Sequence, residues 1–210
     1  MTEPADVIPA GRSALLFFDM LNGHIKTDDG QIKDRYVSVI PNAVRILEAA
    51  RSAGLLIAYA AANHRADNGT TATTLRDADN RLNPVRSGTF AEPLVRGGTW
   101  HCEIVSELAP RPADYLIPKY RWSAFHQTYL DLALRTRGIG TVILCGGSTD
   151  VGVASTAYAA RDLDYNLVIA RDACTSPEMD NHEQFMNRIF PRLARVRDTD
   201  QVVTMLANQP

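Results

Sequence analysis

Residues 141–152 read Thr-Val-Ile-Leu-Cys-Gly-Gly-Ser-Thr-Asp-Val-Gly. Five apolar or β-branched residues run into a glycine pair, and a stripe of small apolar residues follows at Val153, Thr156, Ala157, Ala160 and Leu163. The first part has the length and composition of a strand buried on both faces, and the second has helical spacing. A strand that passes through a tight turn into a helix is the repeating unit of an open parallel sheet.

The same alternation extends in both directions. Ala14–Phe18, Leu55–Tyr59, Asp114–Ile117 and Leu167–Ala170 are further short apolar runs, with a weaker one at Ala194–Val196. Between them, Val44, Leu47, Ala50 and Ala53 follow Pro41 at near-helical spacing and stop at Gly54, while Leu130, Ala133 and Leu134 precede Gly138. The pattern predicts an α/β fold, a three-layer α/β/α sandwich with right-handed crossovers. No internal repeat is present. Residues 1–11 read as a flexible N-terminal arm and 12–210 as a single domain. The polar stretch from Ala62 to Gly98 reads as a surface excursion, a lid or an oligomer contact.

Composition excludes several functions. A formal net charge of −2 and the lack of any dense Lys/Arg cluster argue against a nucleic-acid partner. No apolar run reaches membrane-spanning length, and the start of the chain lacks a signal-peptide pattern. Cys102, Cys145 and Cys174 are odd in number and lack Cys-x-x-Cys spacing, so they read as reduced thiols of a cytoplasmic protein.

In such a sheet, ligands bind beyond the carboxyl ends of the strands. Asp19 ends the first apolar run and Lys119, one of three lysines, ends the third. Alone, Asp19 reads as a turn cap and Lys119 as a snorkelling side chain. Together in a half-buried crevice they would tune each other and suit proton transfer. The turn from Gly146 to Gly152 offers backbone N–H groups at a helix start for a developing negative charge. It fits neither the dinucleotide-binding glycine pattern, nor a phosphate-binding loop, nor a serine-hydrolase elbow.

Four blocks resemble the isochorismatase-like (cysteine hydrolase) superfamily, in its order and over nearly the whole chain. They are Leu16–Met20, Lys119–Phe125, Gly146–Ala157 and Ala170–Cys174. The resemblance implies a six-stranded parallel sheet, Rossmann-like in kind, and a small-molecule hydrolase with Asp19 as proton carrier and Lys119 as its partner. It implies a cysteine nucleophile at the position that here reads Gly152, a cis peptide at Gly147-Ser148, and an oxyanion turn of Gly147, Ser148, Thr149 and Val151. The chain thus resembles a subgroup with glycine in place of the nucleophile.

Without that thiol no thioester of the usual kind forms. Three readings stay open: acid–base hydrolysis of an enol ether or C–N bond by Asp19 and Lys119, an amidohydrolase using an activated water, and a catalytically silent binding protein. Expected pocket residues are Asn22, His24, His64, Arg121, Trp122 and Phe125. His24 is a candidate second proton carrier, and Arg121 suits a carboxylate-bearing substrate. Zinc-binding relatives use an Asp-x-His pair where this chain has Ala62-Asn63-His64, so neither metal nor other cofactor is expected. A homodimer or homotetramer is expected from the resemblance.

Overall fold

The computed structural model describes residues 7–71 and 95–208. Six strands form one sheet: β1 (Ser13–Phe18), β2 (Leu56–Ala62), β3 (Tyr115–Lys119), β4 (Thr141–Gly147), β5 (Asn166–Thr175) and β6 (Arg195–Arg197). They lie in the order β3-β2-β1-β4-β5-β6, and every pairing is parallel. The six expected strands are all present, in the expected class of fold.

Both faces of the sheet are covered, which explains the unbroken apolar runs. Leu15 and Phe17 of β1 point to one side with Ile57, Tyr59, Ile143, Cys145 and Val168. There they meet α2 (Val39–Ser52) and α6 (Thr199–Ala207) through Ile46, Leu47, Val202 and Met205. Ala14, Leu16 and Phe18 point the other way with Ala58, Ala60, Val142, Leu144 and Ile169. They meet α3 (Leu130–Thr136) and α4 (Ala154–Asp162) through Leu130, Leu134, Ala157 and Ala160. Side chains alternate with period two, and each set finds its own helical layer. Two shorter helices, α1 (Asn22–Ile25) and α5 (Met179–Gln184), lie past the ends of β1 and β5.

Several sequence expectations need correction. The buried stripe of α2 is Val39, Ile40, Ala43, Ile46, Leu47 and Ala50, so Val44 and Ala53 flank the face rather than centre it. The helix begins at Val39, two residues before Pro41, and Val39 and Ile40 open its buried face. β5 continues through Arg171 and Asp172 to Thr175, because its register against β4 shifts between Leu144 and Gly146 and both charges find partners. Asp172 accepts the N–H and the hydroxyl of Thr199 at 2.8 Å each, and Arg171 pairs with Glu183. In the stretch read as a flexible arm, Ile8 is fully buried and the Val7 carbonyl accepts Arg195. Residues 7–11 are therefore tied down, by apolar burial against α6 and β6. Residues 1–6, and 72–94 of the expected surface excursion, lie outside the described residues.

The chain reverses direction along the sheet between β1 and β4. That places the carboxyl ends of β1, β2 and β4 side by side, with Phe18 opposite both Ala60 and Gly146 in the ladder. A crevice at such a reversal is the usual ligand position in open α/β sheets.

Candidate functional site

Asp19 follows β1 directly. Its N–H donates to the Ala60 carbonyl at 2.9 Å, and its φ of 51° turns the chain out of the sheet. Few residue types tolerate that left-handed conformation, and aspartate is one of them. The turn aims the carboxylate at the strand ends. Oδ1 accepts the Ala62 N–H at 2.9 Å, and Oδ2 lies 2.7 Å from Lys119 Nζ.

Lys119 starts two strands away, opposite Ala62 at the end of β3. Strands stand roughly 4.8 Å apart, so a lysine stem crosses the end of β2 to reach Asp19. The side chains are 5% and 12% exposed, so the pair is shielded from bulk water and from salt. The ammonium also stands over the Phe18 ring, 4.3 Å from its centroid, at cation–π distance. The two expected partners, 100 residues apart in the chain, thus form one ion pair.

The opposite wall is the turn after β4. Gly146 has φ 129°, and a Cβ there would lie 2.1 Å from the Phe18 carbonyl oxygen, so only glycine fits this close approach. The Gly147-Ser148 peptide is cis, as the resemblance implies. A Cβ at 147 would lie 2.8 Å from the Tyr36 hydroxyl. Residues 149–153 form one wide turn that leads into α4.

Side-chain hydrogen bonds lock this turn. Asp150 accepts from the hydroxyls of Ser148 and Ser176, and from Asn181 Nδ2 at 2.7 Å. Burial alone would raise the Asp150 pKa, but these donors together hold it below the usual carboxylate value. Thr149 is fully buried, and its hydroxyl lies 2.8 Å from His182 Nδ1. Ser155 donates to the Gly152 carbonyl at 3.2 Å. Val151 is half-buried beside them.

Gly152 is buried at the foot of this wall. A Cβ built on it would lie 2.0 Å from Cε1 and 2.5 Å from Cζ of Phe18. The phenyl ring already fills the space a side chain would need.

The expected pocket residues divide. His24 is half-buried and feels the fields of Asp19 and Lys119; burial first, then the Lys119, Lys33 and Arg35 charges, lowers its pKa against the pull of Asp19. His64 is likewise lowered, by burial and by Lys119, and its ring packs edge-on to Tyr120 with centroids 6.2 Å apart. Both imidazoles therefore favour the neutral form near the ion pair.

The other four do different work. Asn22 spends its side-chain N–H on the Trp100 carbonyl at 3.1 Å and anchors a neighbouring turn. Arg121 is exposed, and its guanidinium donates to the carbonyls of Thr70 at 2.9 Å and Tyr120 at 2.6 Å. Trp122 is 50% exposed. Phe125 stacks on Tyr165, centroids 5.7 Å apart. Tyr165 precedes β5 at the opposite end of the sheet, so Phe125 is a packing residue and not a crevice residue.

Sequence reasoning missed Phe18, Tyr36 and Cys102. Phe18 adjoins Asp19 in the chain, but its facing of Gly152 depends on strand alternation and a turn 130 residues later. Tyr36 is buried with its hydroxyl against Gly147, and burial raises its pKa. The Cys102 thiol donates to the Ala62 carbonyl at 3.1 Å, and burial with the Asp19 charge pushes its pKa up. Beyond Ala62, a hollow of about 570 Å³ is lined by Asn63, Cys102, Glu103, Ile117 and Pro118. Neither Asp19 nor Lys119 lines it. Among the described residues, no three His, Cys, Asp or Glu side chains are grouped to hold a metal ion, and no helix is long and apolar enough to cross a membrane.

Comparison with known proteins places these features in context. Residues 13–201 match the Isochorismatase domain. The chain is 46% identical over 99 residues to the isochorismatase family protein YecD of Escherichia coli O157:H7, a match that covers 47% of this chain and about half (53%) of that relative. It is 32% identical to YwoC of Bacillus subtilis, covering 90% of this chain and 92% of YwoC. It is 30% identical to the ureidoacrylate amidohydrolase RutB of Agrobacterium fabrum, covering 98% and 95%. Among solved structures, an isochorismatase family protein from Burkholderia thailandensis superposes with a TM-score of 0.81 at 24% identity, covering 97% of this chain and 99% of that one. An N-carbamoylsarcosine amidase from Thermoplasma acidophilum superposes with a TM-score of 0.71 at 26% identity, covering 90% and 97%.

Proposed function

The chain belongs to the isochorismatase family of hydrolases, and from that premise we propose that it hydrolyses a small, carboxylate-bearing molecule by proton transfer through Asp19 and Lys119, without a cysteine nucleophile. The observation that carries this reading is the 2.7 Å pair between Asp19 and Lys119 at the mouth of a crevice whose far wall, at Gly152, bears no side chain.

In this reading Gly152 takes the position of the family's cysteine. Asp19 delivers or receives the proton at the reacting atom. Lys119 keeps a positive charge beside it, so the carboxylate holds its place and charge developing on the substrate is offset. The Gly147–Val151 turn, held rigid by Asp150, presents backbone N–H groups to the oxygen that becomes negative. His24 and His64 line the approach as neutral bases. Lys33 and Arg35, whose charges reach His24, supply the positive field that a substrate carboxylate needs. Arg121, which is exposed and bonds the Thr70 and Tyr120 carbonyls through Nη1, can add to that field.

Two bonds suit this machinery. Enol-ether cleavage begins with protonation of carbon by the acid; water then adds to the oxocarbenium and the hemiketal collapses to the carbonyl compound and the alcohol, with no protein nucleophile. C–N cleavage needs a water that Asp19 activates, and likeness to RutB and to the carbamoylsarcosine amidase favours it. The products separate them, since one bond releases a carbonyl compound and the other ammonia or an amine. Reduced thiols at Cys102, Cys145 and Cys174 fit a cytoplasmic setting.

Asp19→Asn tests the reading. Turnover of any true substrate should fall about 10²–10⁴-fold while the variant stays folded. Undiminished turnover in folded Asp19→Asn would remove the carboxylate from the mechanism.

A further inference from the structure

We propose that Phe18 is the residue that closes position 152 to covalent chemistry, and that Phe18 and Gly152 act as a matched pair, in which a nucleophile-bearing side chain at 152 requires loss of the Phe18 ring. The proposal rests on the reading that Gly152 takes the cysteine's place.

The argument is one of occupied space. A Cβ on residue 152 would stand 2.0, 2.5 and 2.9 Å from Cε1, Cζ and Cδ1 of Phe18. Contacts under 3.0 Å do not persist, so any side chain at 152 must displace the ring. The ring has nowhere to go. Phe18 is 2% exposed and packs in a cluster that includes Ala60, Leu144 and Val153. Its backbone is fixed as well, paired with Ala60 on one side and Gly146 on the other. The Phe18 carbonyl oxygen is itself the atom that forbids a Cβ at 146. The ring also carries the Lys119 ammonium, 4.3 Å from its centroid. Phe18 therefore fills the volume a thiol at 152 would enter, and bond-making through residue 152 is excluded by shape before any question of pKa arises.

The test uses four full-length proteins: wild type, Gly152→Cys, Phe18→Val and Phe18→Val/Gly152→Cys. Each is measured for melting temperature and for iodoacetamide alkylation at residue 152, mapped by peptide mass so that Cys102, Cys145 and Cys174 do not interfere. Gly152→Cys should melt about 3–12 °C below wild type or fail to fold. The double variant should fold, with a combined loss smaller than the sum of the single losses by at least about 2 °C. Its thiol at 152 should be alkylated at least about tenfold faster than in any folded Gly152→Cys. A Gly152→Cys protein that melts with wild type would overturn the proposal. So would additive losses, a double variant that folds but resists alkylation at 152, or one that fails to fold while Phe18→Val folds. None of these readouts uses turnover, so their outcome is independent of whether Asp19→Asn loses activity.

Discussion

The two walls of the crevice are made by opposite means. The wall after β1 and β3 is charged: one carboxylate and one ammonium, 2.7 Å apart, steadied by the Ala62 N–H, the Arg121 carbonyl and the Phe18 ring. The wall after β4 carries no side chain at Gly152 and is dense with hydrogen bonds, in which Ser148, Ser176 and Asn181 converge on the Asp150 carboxylate behind the turn. The first wall can move a proton. The second can only hold a shape and present backbone dipoles. On the proposed reading, catalysis divides between a reactive element and a rigid one, and the rigid wall needs no side chain at 152.

Breaking the charged wall should cost most. Lys119→Ala leaves the Asp19 carboxylate buried without its counter-charge. We expect a loss of about 3 kcal/mol, or ~6–12 °C in melting temperature, together with a collapse of turnover. Calorimetry on the variant checks the first part. A melting temperature unchanged from wild type would mean that the pair is solvated in solution.

Breaking the hydrogen-bonded wall should cost less. Asp150→Ala strands two hydroxyls and an amide, worth about 1–2 kcal/mol by loss of their acceptor. Its effect on turnover should fall on kcat more than on KM, because a loosened turn misplaces the N–H groups that matter in the transition state. Equal damage from Asp150→Ala and Lys119→Ala would erase the distinction between the walls.

Acidification probes the contrast most gently. His24, His64 and His182 all have pKa values lowered in the folded state, with burial the first cause of each. For a base held neutral in the folded state, the unfolded chain binds the proton more readily. The stability these groups contribute is therefore present above about pH 6.5 and is lost as pH falls toward their lowered folded values. Melting temperature should decline from pH 7.5 to 5.5, a window above the ordinary carboxylate range, and His182→Gln should flatten part of that decline. A flat profile in the parent would show that these imidazoles are freely solvated.

Much of this was legible in the sequence, for a physical reason. A strand buried on both faces must be apolar throughout, so β1, β2, β4 and most of β5 could be read directly, with the edge strands β3 and β6 less buried, and the carboxyl ends of the runs pointed to Asp19, Lys119 and the glycine turn. Element edges were harder. Arg171-Asp172 looked like the end of β5, although Asp172 is consumed in holding Thr199 at the start of α6. Side-chain duties beyond the strand ends were hardest. Asn22 lies just past one block that resembles the family and Phe125 sits within another, yet one holds a backbone carbonyl and the other stacks on Tyr165. Phe18 was read only as strand core. Its second role depends on a contact across 130 residues, and no local pattern carries that information.

The central claim is that this hydrolase works by moving protons at Asp19 and makes no bond through sulfur. Among the three thiols, only Cys102 is more than slightly exposed, and it lies one backbone unit from Asp19 through Ala62. The most direct measurement is kcat/KM on one substrate for Cys102→Ser and Asp19→Asn side by side. The account predicts that Cys102→Ser stays within about threefold of wild type while Asp19→Asn loses at least ~10²-fold. The reverse order, with turnover lost in Cys102→Ser and kept in Asp19→Asn, would contradict it.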